Sequence, residues 1–106
     1  MRFAIKNTTG EKIESLMRSL RYHFWGNSNK DDKINFTRPL ETGGAYPRFH
    51  VYLRYNKITK EISFDLHLDQ RKTVYEGAKA HKGEYEGELV EKEAKRIKNY
   101  INKFSK

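Results

Sequence analysis

Residues 48–69 read RFHVYLRYNKITKEISFDLHLD, and this stretch decides the fold. Phe49, Val51, Leu53 and Tyr55 fall on one side of an alternating run, and His50, Tyr52 and Arg54 on the other. After Asn56-Lys57-Ile58-Thr59-Lys60 the alternation resumes. Ile62, Phe64, Leu66 and Leu68 share one side, and Ser63, Asp65, His67 and Asp69 the other. A period of two with one apolar side belongs to a half-buried strand. Two such runs around a short polar connection predict an antiparallel hairpin with one buried and one polar face. Symmetric pairing sets His50 opposite His67, Tyr52 opposite Asp65 and Arg54 opposite Ser63, close enough for the side chains to interact.

Working outward, Arg2 to Lys6 alternates and predicts a short strand, with Phe3 and Ile5 on one side. Thr8 and Glu11 have the spacing of a capping box. Behind them Ile13, Leu16, Met17, Leu20 and Phe24 form one apolar stripe, which predicts an amphipathic helix over 10–24 with Gly26 as its stop. His23 is read as a helix-end or core histidine. Residues 26–32 are expected to be a polar loop, 33–37 a strand ending before Pro39, and 39–47 a glycine-containing turn. Val90, Ala94, Ile97, Ile101 and Phe104 predict a second helix over 88–105. Glutamates open it and lysines close it, as the helix dipole favours.

These elements predict a single α+β domain over 1–106, in the order β-α-β-β-β-α. The simplest packing is a two-layer sandwich, an antiparallel sheet with both helices on its apolar face. The opposite, polar face is then expected to be open. Residues 70–87 show little periodicity and make a loop long enough to suggest a functional role.

The chain has 106 residues, 22 Lys and Arg against 14 Asp and Glu, and no Cys. Disulfide scaffolds, cysteine zinc sites and cysteine nucleophiles are thereby excluded. No apolar run approaches the ~20 residues of a membrane span, and the opening MRFAIKNTTG has no leader-like apolar stretch, so the expectation is a cytoplasmic protein with no membrane partner. The net charge of +8 favours an acidic partner.

The residues that carry chemistry lie on the polar face. His50 and His67 are paired, Asp69 is two residues further along, and His81 and Glu84 sit in the long loop. Imidazoles move protons near neutral pH and bind metals, and a nearby carboxylate orients them. One reading is a divalent metal held by His50, His67 and His81 with Asp69 or Glu84. Another is metal-free acid–base cleavage of a phosphodiester by the histidines, with Arg48 or Arg54 stabilising the phosphoryl charge. Either way the expected activity is binding or hydrolysis of a phosphate-containing ligand, above all nucleic acid. A non-enzymatic alternative uses Tyr52, Arg48, Arg54, Lys72, Lys79, Tyr75 and Tyr85 as a stacking and phosphate-tracking surface for nucleic acid. A third class is a homodimerisation or protein-interaction module using the sheet edge or polar face.

Overall fold

The computed structural model describes residues 1–28, 32–41, 43–44, 46–70, 83–84 and 87–106. Its elements are β1 (Arg2–Lys6), α1 (Ile13–Ser19), β2 (His23–Ser28), β3 (Lys33–Pro39), β4 (Arg48–Tyr55), β5 (Glu61–Asp69), β6 (Gly83–Glu84) and α2 (Glu88–Lys103). The fold is α+β, with the sheet order β1-β5-β4-β3-β2 and β6 also paired to β5. Each strand pair is antiparallel.

The hairpin is the centre of the molecule. Its register is Arg48 with Asp69, His50 with His67, Tyr52 with Asp65 and Arg54 with Ser63, the symmetric pairing expected about the 56–60 connection. In the connection, the Asn56 side chain accepts hydrogen bonds from the amides of Ile58 and Thr59 and so closes the turn. The apolar side of the sheet contributes Phe36, Phe49, Val51, Leu53, Ile62, Phe64, Leu66 and Leu68 to one buried cluster. Ile13, Leu16 and Met17 of α1 and Val90, Ala94, Ile97 and Ile101 of α2 belong to the same cluster. Among the described residues no helix is long and apolar enough to cross a membrane.

The region after α1 differs from the sequence expectation. The helix does not reach residue 24. It ends at Ser19, and Arg21 adopts φ +74°, a left-handed conformation that no helix continues through. Residues 23–28 then form a strand in place of the expected helix end and loop. His23 pairs with Thr37 and is exposed on the sheet, not at a helix end or in the core. Phe24 kept the helical stripe in step with Leu20, but His23-Phe24-Trp25 is also a run of residues that suit strands, and pairing with β3 decides the outcome. Gly26 therefore lies within β2, just past a bulge between Phe24 and Gly26, and stops no helix. The Thr8–Glu11 capping box does not form either. The α1 N-cap is Lys12, with no side-chain cap. Instead the Asn7 carboxamide receives the Thr9 hydroxyl at 2.6 Å, and the Thr9 hydroxyl accepts from the Glu11 amide at 3.1 Å. β3 also runs two residues past its expected end, to Pro39, the final position of the strand, where a missing N–H is least costly.

A buried polar knot ties α2 to the sheet. Glu93 is buried on α2. It accepts the Tyr22 hydroxyl at 2.7 Å and the Arg96 Nε at 2.7 Å, and Arg38 of β3 lies 3.5 Å away. Burial, then the Glu93 charge and hydrogen bond, push the Tyr22 phenol well above its ordinary pKa of 10.0. The folded state thus keeps this proton while the unfolded chain releases it. Tyr22's contribution is complete below about pH 10 and is lost as pH rises toward the folded-state pKa. Urea midpoints measured between pH 8 and pH 11 should fall more steeply for the wild type than for Tyr22→Phe. Parallel declines in the two proteins would show that Tyr22 is not the group responsible.

Candidate metal centre

β4 and β5 present Arg48, His50, Tyr52 and Arg54 beside Asp69, His67, Asp65 and Ser63 on the polar face of the sheet. The adjacent strand β3 adds Asn35 and Thr37, opposite Tyr52 and His50. The expected open face exists only at one end of this array. Arg54 is exposed and Tyr52 half-buried, but His50 and His67 are each only 6% exposed, and Arg48, Asp69, Asn35 and Thr37 are buried as well. Polar side chains tolerate such burial when they satisfy one another. Here opposite charges and polar groups meet at facing register positions.

The Asp69 carboxylate is the hub. Its Oδ1 lies 2.7 Å from His67 Nδ1, and its Oδ2 lies 3.1 Å from His50 Nδ1 and 3.3 Å from Arg48 Nε. On the far side of the His50 ring, Nε2 lies 3.1 Å from Asn35 Oδ1. The Asn35 amide is oriented by its own Nδ2, which donates to the Gly26 carbonyl at 3.3 Å. Its oxygen faces His50, an arrangement that suits a proton on His50 Nε2. His50 Nδ1 then confronts a carboxylate oxygen. At 3.1 Å the carboxylate oxygen can accept a proton from that nitrogen or share a metal ion with it. Metal-bound histidines commonly donate their other N–H to a carbonyl in this way.

The rings are packed as well as bonded. Tyr52 stacks on His50 at 4.5 Å and on His67 at 5.3 Å, with the two imidazoles 4.9 Å apart. The Arg48 guanidinium lies between Trp25 at 4.7 Å and Tyr46 at 4.5 Å. Trp25 was not among the site residues foreseen. The strand that carries it reads as helix, which hides its place on the sheet.

Of the residues singled out from the sequence, the structure brings together His50, His67 and Asp69, whose ligand atoms all lie within 4.8 Å of one another. Arg48 joins them through Asp69, and Tyr52 covers the imidazoles. Arg54 does not reach the cluster and instead lines a cavity beyond Tyr52. Glu84 is described only through its strand pairing, opposite Leu68, with Gly83 opposite Asp69. These two residues run along the edge of β5. His81, Lys72, Lys79, Tyr75 and Tyr85 lie outside the described residues. Asn35 was placed in a strand but not in the site, because nothing in the sequence ties it to His50.

No family model matches this chain, and neither the curated proteins nor the solved structures give a match.

Proposed function

We propose that the chain binds a divalent transition-metal ion through His50, His67 and Asp69 and directs its charge at a phosphate-containing ligand. The observation that carries the reading is the convergence of two imidazoles and one carboxylate from facing strands, with gaps of 2.7 and 3.1 Å between carboxylate oxygens and ring nitrogens. Ligand atoms about 2.1 Å from a shared ion stand about 3.0–3.4 Å apart in neighbouring positions and at most about 4.2 Å apart, so the 3.1 Å gap already has that spacing, while the 2.7 Å gap must widen and the 4.8 Å span contract on metal binding. Two histidines and one carboxylate suit Zn, Fe, Mn or Ni and leave positions open for water or substrate. Asn35 orients His50, and Arg48 anchors Asp69 from the side away from His67. A divalent ion with one carboxylate and two neutral imidazoles keeps a net positive charge, and Arg48 adds another. A site of that sign attracts an anion, and hydrolysis of a phosphate ester is the reaction it would serve.

Elemental analysis of tag-free protein, loaded with zinc or manganese and dialysed, should find about one ion per chain. His67→Ala should reduce this to background while the far-ultraviolet circular dichroism stays native. Wild-type protein that holds no more metal than His67→Ala would end the proposal.

A further inference from the structure

On both sides of the imidazole cluster the polar face carries features the metal does not need. Past Tyr52, a cavity of about 400 Å³ is lined by Arg2, Lys33, Arg54, Tyr52, Ser63 and Asp65 among others. That volume is in the range of small-ligand sites. Three cations face one acid there, and Asp65 lies 3.6 Å from Arg2. Lys33 also sits over the Tyr52 ring, at 5.9 Å. In the other direction, Trp25 stacks one face on Arg48 and yet is 62% exposed. The indole thus offers an exposed aromatic surface beside the buried guanidinium.

These features lie in a line. Along β4 the order is Arg48, His50, Tyr52, Arg54, and the rise from Arg48 to Arg54 is about 20 Å. From the Trp25 end on β2 to the Arg2 end on β1, the line crosses the sheet diagonally over the metal centre. We propose that this line is a binding track for a single-stranded nucleic acid. One backbone phosphate enters the cavity among Arg2, Lys33 and Arg54, and a base stacks on Trp25. The strand between them passes over the imidazole cluster. Cationic grooves that follow the backbone and aromatic rings that stack on bases are the two parts of sequence-tolerant single-strand recognition. A mononucleotide would fill only one end of the track. The proposal names the substrate class of the metal centre and rests on that reading for the chemistry, but strand binding itself needs no metal.

Trp25 is the only tryptophan in the chain, so its emission reports directly on stacking. The full chain is titrated in EDTA with hexathymidylate, thymidine monophosphate and inorganic phosphate. Hexathymidylate should quench Trp25 and bind at least tenfold more tightly than the monophosphate. The logarithm of its affinity should fall with the logarithm of salt concentration, and Lys33→Ala and Arg54→Ala should each make that slope shallower by about 0.7. Trp25→Ala, followed by anisotropy of a labelled hexamer, should weaken binding roughly five- to hundredfold. Equal affinity for monophosphate and hexamer overturns the track, as does a hexamer affinity indifferent to salt and to these substitutions. Failure of the metal reading looks different: no ion is retained, while hexamer binding in EDTA persists.

Discussion

Asp69→Ala should lower stability by about 3–5 kcal/mol and abolish metal retention together. The carboxylate is buried and neutralises Arg48, itself buried, at 3.3 Å. Removing one partner of such a pair leaves the other charge desolvated and uncompensated, a cost well above the net worth of the intact pair. His50 and His67 lose the same oxygen atoms. In a domain of this size the loss corresponds to a fall in Tm on the order of 15 °C or more. The comparison that isolates the cause is Asp69→Ala with Arg48→Met. The double variant removes both charges and should recover much of the stability without recovering the metal. If the double variant is no more stable than Asp69→Ala alone, the unpaired guanidinium is not the source of the loss.

Glu93→Ala should cost about 3 kcal/mol, on the helix-covered face of the sheet and with no effect on the metal. Glu93 is the acceptor for Tyr22 and Arg96 and the counter-charge for Arg38. Its loss strands the buried Tyr22 hydroxyl, whose desolvation is no longer compensated. Arg96 and Arg38 retain partial access to water, which keeps the penalty below that at Asp69. Arg96 also donates to the Leu20 carbonyl at 2.5 Å, next to the left-handed Arg21 that ends α1. The substitution should therefore loosen the α1–β2 junction. Hydrogen exchange at the amides of residues 20–22 reads this out, and unchanged protection there would separate Glu93 from the junction.

The two polar clusters were unequally legible. Alternation fixes the faces, because a slip of one residue would turn every apolar side chain outward, and symmetry about the 56–60 connection selects the partners. That is why His50, His67 and Asp69 could be placed on one face from sequence. Their burial could not be read, since polar alternation looks the same whether water or other side chains satisfy it. Arg48 opposite Asp69 was the available clue, a pair of opposite charges at matched positions. Glu93 left less trace. Within a helix already rich in glutamate and lysine, nothing marks one carboxylate as buried until Tyr22 and Arg38 are brought beside it from distant parts of the chain. The misread helix end has a similar origin. Leu20 and Phe24 satisfy a helical period, while the turn at Arg21 depends on packing against α2 that no local window contains.

The outer side of β5 is covered by two pieces from opposite parts of the chain. β1 pairs with residues 61–65, and β6 with 68–69. β1 must close a loop of roughly 60 residues to reach its place, whereas β4 and β5 meet across a short turn. Loop-closure entropy thus favours formation of the hairpin before the amino-terminal strand docks. His50, His67 and Asp69 all belong to that early-forming pair. Their convergence accordingly depends on a local hairpin contact and not on the long-range sheet edge that completes the domain.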